Sequence, residues 1–397
     1  MNKEYIKEAD YLFINTYRRN PIILDRGEGV YLYDIDGKKY LDFGAGIAVS
    51  ALGYGNEEYN QALKLQIEKL IHTSNLYYNM PMIDAARKFL KASGMDEVFF
   101  TNSGTESIEG AIKLAKKYDY KKTGRTNHEI ISMKQSFHGR SLGALSVTGQ
   151  PKYQKPFSPM IEGVVYGEFN HIESIEKLVN EKTCAVLVEP IQGEGGIYVA
   201  KQEFLEGIKK ICNDHDILLI FDEIQCGMGR TGDMFAYEGY GVKPDILVSA
   251  KALGCGIPVG AFAAVTKVAS AFEPGDHGTT YGGNPLAGAA VSKVLDIYES
   301  LHLLDHVKEI SSYFEKQLDV LVDKYDFIIE RRGKGLMQGL EFTIPVKKYI
   351  ERALEKGLII ISAGENILRF VPPLIIEKEH VDEMIVILED CVNSDVF

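Results

Sequence analysis

The chain has 397 residues, of which 45% are hydrophobic and 25% charged, and its formal net charge at pH 7 is -12. Those proportions are ordinary for a folded globular protein and exclude disorder or a fibrous design, while the length exceeds what one core usually fills, so two domains are expected. Acidic residues are spread along the whole length and no Lys/Arg cluster alternates with aromatics, which argues against nucleic acid as a partner.

Residues 1–10 mix charges and carry no apolar stretch of the kind an export signal needs. No uninterrupted apolar run reaches the roughly 18 residues of a membrane helix, so a cytoplasmic protein with no membrane partner is expected. Short apolar runs rich in β-branched and aromatic residues then recur at 97–101, 129–133, 184–188, 217–221 and 245–249, and these read as buried strands. Between them, apolar spacings of three and four at 105–118, 172–180 and 202–215 predict amphipathic helices. The alternation predicts an α/β fold with a mostly parallel sheet sandwiched by helices, and with ligand sites at the carboxyl ends of the strands. Residues 54–299 are expected to form this large domain. Helical patterns at 285–299 and 304–325 follow, and residues 1–53 and 300–397 are expected to form a smaller α+β domain.

Five cysteines (Cys184, Cys212, Cys226, Cys255 and Cys391) are widely spaced with no C-x-x-C pair, as suits reduced thiols. His302 and His306 stand at helical spacing, but no glutamate follows the first and no third ligand is near, so no metal site is expected.

Two strand ends carry the chemistry. The run 217–221 is followed by Asp222, and the run 245–249 by Ala250-Lys251. A lysine directly after a buried strand is costly unless its charge is paired or removed, and forming an imine removes it. Pyridoxal phosphate asks for this combination: a lysine for the Schiff base and an aspartate that keeps the pyridine nitrogen protonated. Lys251 and Asp222 are therefore the candidate catalytic pair.

The cofactor also needs an anion cradle. Ser103-Gly104-Thr105-Glu106, between a strand and a helix, fits a capping box, which explains Ser103 and Glu106 with no ligand at all. Gly104 and Thr105 add exposed N–H groups and a hydroxyl at the positive end of the helix. Phe137-His138-Gly139-Arg140 occupies another strand-end loop. Phe137 could stack on a planar ring or simply close a core turn, and Arg140 could grip a carboxylate or remain in solvent. Gly227-Met228-Gly229-Arg230-Thr231-Gly232 matches G-x-G-x-x-G, but no long helix follows it, so a dinucleotide site is not expected.

The runs Val188-Glu189-Pro190-Ile191-Gln192-Gly193-Glu194-Gly195-Gly196, F-D-E-I-Q-C-G-M-G-R-T-G from Phe221, S-A-K-A-L-G from Ser249 and H-G-T-T-Y-G-G-N-P from His277 resemble the class III aminotransferases. The likeness extends from Gly29 to Pro373 and is nearest to those members that act on acetylornithine. It implies fold type I of the pyridoxal-phosphate enzymes and a homodimer whose active sites are built from both chains. By this resemblance Ser103, Gly104 and Thr105 hold the phosphate, with Thr280 reaching it from the other subunit. Phe137 and His138 flank the ring, Asp222 meets its nitrogen, Glu189 and Gln225 lie beside it, and Lys251 bonds it. Arg140, Thr279 and Tyr17 are implied on the substrate side.

Glu194 and Arg369 match a pair that manages two substrates, since glutamate brings two carboxylates and an ω-amino donor brings one. The implied reaction moves the δ-amino group of N2-acetyl-L-ornithine to 2-oxoglutarate, giving the semialdehyde and glutamate, a step of arginine biosynthesis. Succinyldiaminopimelate, ornithine or 4-aminobutyrate as donor, or an aminomutase reaction, stay open. Ile108, Tyr54 and Thr279 depart from the usual residues of the family.

Overall fold

The computed structural model of the chain describes residues 2–393. Its largest sheet has seven strands in the order Glu97–Thr101, Gly260–Ala264, Ile246–Ser249, Leu218–Asp222, Thr183–Val188, Glu129–Met133, Val164–Gly167. From Ile246–Ser249 out to Val164–Gly167 every neighbour is parallel. Gly260–Ala264 alone runs antiparallel to both of its neighbours.

The strands Leu218–Asp222 and Thr183–Val188 are buried along their whole length, as expected for a sheet covered on both faces. Alternate residues feed two cores. Leu218 and Ile220 pack with Ile108, Leu114 and Val248 under the helix Gly104–Thr123, while Leu219 and Phe221 pack with Phe204 and Ile208 of the helix Gln202–His215 on the other face.

Residues from both ends of the chain share one sheet. Leu24–Glu28, Tyr31–Asp34 and Lys39–Asp42 form an antiparallel meander, and Leu358–Ile359 joins its edge parallel to Lys39–Asp42. A further sheet, Ile328–Lys334, Met337–Phe342, Ile367–Phe370 and Ile361–Ser362, carries Arg369. The long helices Leu303–Lys324 and Lys378–Asn393 complete this part. No helix among the described residues is long and apolar enough to cross a membrane.

Several elements differ from expectation, among them the edge strand Val164–Gly167, for which no apolar run was read. The helix anticipated over 172–180 stops at Glu176, because the N–H groups of Leu178 and Val179 both turn back to Ile175 O and Asn180 Oδ1 accepts Lys182 N at 2.8 Å. The strand Gly260–Ala264 was not anticipated, since G-A-F-A-A has poor strand propensity. Packing requires its small residues. A Cβ on Gly260 would lie 2.4 Å from Ser107 Oγ and 2.5 Å from Ser103 O.

Candidate active site

A cavity of about 410 Å³ opens at the carboxyl ends of the parallel strands. Asp222, the last residue of its strand, and Lys251, two residues past the neighbouring strand, both line it. Lys251 sits in the left-handed region with φ +49°, sparsely populated for a side chain of its kind. Among the described residues its amine makes no hydrogen bond or ion pair. Burial pushes the Lys251 pKa down to about 8; Glu194 opposes that shift and Arg369 reinforces it. At pH 7 the amine facing the cavity is thus still mostly charged, and the neutral form takes over as the pH rises through about 8.

Asp222 is buried and held at both oxygens. Oδ1 accepts Ile224 N at 3.0 Å, and Oδ2 lies 2.7 Å from His138 Nδ1. The other ring nitrogen, His138 Nε2, is buried with no partner, so the proton belongs on Nδ1, where a carboxylate accepts it. Glu189 also lines the cavity and accepts Phe137 N at 3.1 Å. Burial, and then the charge of Asp222, raise the Glu189 pKa well above the usual carboxylate range. Its carboxyl can therefore donate as well as accept.

The anion cradle is the N-terminus of the helix Gly104–Thr123. Ser103 caps it by accepting Glu106 N at 3.3 Å. The return arm of the expected box is displaced by one residue, because Glu106 Oε2 accepts Asn102 N at 2.7 Å and Asn102 Nδ2 at 2.9 Å instead of Ser103 N. Gly104 is required by packing, since a Cβ there would lie 2.8 Å from Ile224 Cδ1. The Thr105 hydroxyl is fixed by Ser141, which lies 2.8 Å away through Oγ and donates its N–H at 3.2 Å. Gly139, with φ +139°, lets that loop pass beside Thr105, for a Cβ would fall 2.3 Å from Thr105 Oγ1.

Phe137 lines the cavity wall and packs edge-on against Tyr153. The Arg140 guanidinium lies over the Tyr153 ring at 4.1 Å and has no carboxylate partner among the described residues. Arg369 is buried and paired: Nη1 donates to Glu194 Oε1 at 2.5 Å and to Gln225 Oε1 at 3.2 Å, while Nε has no partner. Burial works against ionisation of Glu194, yet the Arg369 charge holds its pKa below the ordinary value.

Most of the candidate residues therefore meet at one cavity: Ser103, Gly104, Thr105, Phe137, His138 and Arg140 from two loops, and Glu189, Glu194, Asp222, Gln225 and Lys251 from three more, with Arg369 behind Glu194. Thr279 and Thr280 do not line it. They stand over an adjoining groove that shares Asn102 with the cavity. Tyr17 is 72% exposed in the N-terminal segment and does not reach the cavity within one chain. Sequence reasoning missed Ile224, which sets the space over Gly104, and Tyr153, which carries Arg140. Ile224 stands in the D-E-I-Q run, whereas nothing around Tyr153 marks it.

The residues fit pyridoxal phosphate. The capped helix N-terminus offers N–H groups and hydroxyls to a phosphate, and Gly104 keeps the approach clear. The free Lys251 amine and the buried carboxylate of Asp222 face the same space, as a ring bearing an aldehyde and a basic nitrogen requires.

Residues 13–392 match the model of the family described as aminotransferase class III. An acetylornithine aminotransferase of Methanocaldococcus jannaschii is 50% identical over 377 residues, 95% of each chain. Among solved structures, an acetylornithine aminotransferase of Elizabethkingia anophelis superposes with a TM-score of 0.89 at 31% identity, covering 99% of each chain. An ornithine aminotransferase of Toxoplasma gondii gives a TM-score of 0.96 at 29% identity, covering 100% of this chain and 96% of that one.

Proposed function

The chain belongs to the class III aminotransferases, and on that footing we propose that it transfers the δ-amino group of N2-acetyl-L-ornithine to 2-oxoglutarate, forming N-acetyl-L-glutamate 5-semialdehyde and L-glutamate. Its cofactor is pyridoxal 5′-phosphate. That group supplies an aldehyde that bonds amines and a protonated ring that takes up the electron pair left on the donor carbon.

In this reading Gly104, Thr105 and Ser103 hold the phosphate, Phe137 covers one face of the ring, and Gln225 and Glu189 flank it. Asp222, steadied by His138, keeps the ring nitrogen protonated. Lys251 Nζ would hold the aldehyde and, as a free amine, would move a proton from and back to the substrate carbon that bears the amine. Arg140 grips the carboxylate distal to the reacting carbon, which is the α-carboxylate of the ω-amino donor and the side-chain carboxylate of glutamate or 2-oxoglutarate, with Thr279 beside it and Tyr17 closing that side.

One observation carries the choice of a two-substrate aminotransferase: Arg369 is neutralised by Glu194 at 2.5 Å while Arg140 is left free. A donor with one carboxylate then meets one available cation. When glutamate or 2-oxoglutarate enters, Glu194 swings off and Arg369 takes the second carboxylate, which avoids an unpaired buried charge in either half of the cycle.

Residues 54–299 serve as the cofactor-binding body, with residues 1–53 and 300–397 as the smaller domain, in a cytoplasmic homodimer. The dimer is supported by an exposed apolar patch of Leu76, Tyr77, Tyr78, Met80 and Tyr281, next to the exposed Thr280.

Single-turnover spectroscopy of the purified holoenzyme tests the reading, with acetylornithine, ornithine, succinyldiaminopimelate and 4-aminobutyrate as donors. Acetylornithine should convert the cofactor fastest, and steady turnover should require 2-oxoglutarate. A faster reaction with another donor, or turnover without the oxoacid, would overturn it.

A further inference from the structure

The helix Gly104–Thr123 does more than cap its own cavity. Glu106 Oε2 accepts both the backbone and the side-chain N–H of Asn102, at 2.7 and 2.9 Å, so the Asn102 amide is held in one orientation. From there Asn102 Nδ2 donates to Thr279 Oγ1 at 3.1 Å. Thr279 Oγ1 also accepts Gly282 N at 3.2 Å, which closes the turn that displays Thr280. Further along the helix, Lys113 Nζ donates to Asp276 O at 2.8 Å and lies 3.1 Å from His277 Nδ1, pinning the start of the same loop. Asn102 borders both the cavity and the groove beneath Thr279 and Thr280. Thr280 itself is exposed and does not line the cavity of its own chain.

We propose that Asn102, oriented by Glu106, is a positioning residue that acts in trans: it sets the Thr279–Thr280 turn that one subunit presents to the cofactor phosphate of the other. This rests on the homodimeric reading above. An exposed loop of small residues pays an ordering cost each time it engages a ligand. Two hydrogen bonds on the Asn102 side-chain amide, and a third on its backbone N–H, lower that cost in advance. The same short segment, Asn102 to Thr105, then serves the phosphate of its own site directly and that of the partner site through the loop.

The test uses mixed dimers purified with two affinity tags, in which one chain carries Lys251→Ala and cannot bond the cofactor covalently. The site of the other, unmodified chain is then read by its absorbance on titration with pyridoxal phosphate. Placing Asn102→Ala on the Lys251→Ala chain should raise the dissociation constant at the unmodified chain's site about threefold to tenfold, the loss of one hydrogen bond. Asn102→Asp, which keeps the shape without the donor, should do the same. Thr280→Val on the Lys251→Ala chain is the control for the underlying reading. If it weakens binding and Asn102→Ala does not, the positioning role is overturned while the shared site stands. If neither has an effect, or if sedimentation shows no dimer, the shared site fails and the inference with it.

Discussion

His138 Nδ1 lies 2.7 Å from Asp222 Oδ2, and the opposite ring nitrogen is buried without a partner. The imidazole therefore acts on Asp222 alone, orienting its carboxylate. His138→Phe removes a hydrogen bond to a charged group, and kcat should fall by about one to two orders of magnitude. His138→Asn, which can still donate, should recover part of the loss. Equal rates in His138→Phe and the unmodified enzyme would show that Asp222 needs no such support.

Lys251 has its pKa lowered to about 8 by burial. In the folded protein the amine is charged below that value and neutral above it, and only the neutral amine attacks an aldehyde. Capture of pyridoxal phosphate by the apoprotein should slow about tenfold for each pH unit below 8 and level off above it. Stopped-flow absorbance measures this directly, and a profile without a slope between about pH 6 and 8 would contradict the assignment. Lys251→Ala should abolish borohydride-trappable cofactor and nearly all turnover.

Glu194→Ala leaves the buried Arg369 without its carboxylate. The acetylornithine half-reaction should then suffer more than the glutamate half-reaction, by roughly tenfold in their ratio of kcat/KM. Stopped-flow measurement of each half separately decides the matter. Losses equal in both halves would remove the switching role and leave Glu194 as a structural partner.

Gly104→Ala sets a methyl against Ile224 on the cavity wall, because the new Cβ would stand 2.8 Å from Ile224 Cδ1, and one of the two must shift. The dissociation constant of the cofactor should rise about tenfold, while Gly104→Ala combined with Ile224→Val should regain much of it. An unchanged constant in the single variant would show that the helix N-terminus is not the phosphate cup.

Lys251 and Asp222 were legible in the sequence because each stands within two residues of the end of a run that reads as a buried strand, where an ionisable side chain needs a chemical reason. Parallel strands end on one side of a sheet, so their meeting followed from fold class alone. Ser103 and Glu106 likewise marked the start of their helix, although Glu106 turned to Asn102 and not to Ser103. The strand Gly260–Ala264 stayed hidden because close packing, not propensity, selects its glycine and alanines. Tyr153 stayed hidden because its contact with Arg140 joins a short surface helix to a distant loop. Thr279, Thr280 and Tyr17 are of another kind. Thr280 was expected to serve a second copy of the chain, and within this one Thr279 is held outside the cavity by Asn102 and by the Gly282 N–H.

The reversed strand also bears on how the molecule is made. Glu97–Thr101, which leads into the helix Gly104–Thr123, pairs among the described residues only with Gly260–Ala264, and that strand is synthesised long after it. A nascent chain that already contains Asp222 and Lys251 still leaves Glu97–Thr101 as an unmatched edge, liable to associate with other chains. Vitamin-binding competence should therefore emerge from the ribosome late and all at once, when the final insertion zips the early strand into place.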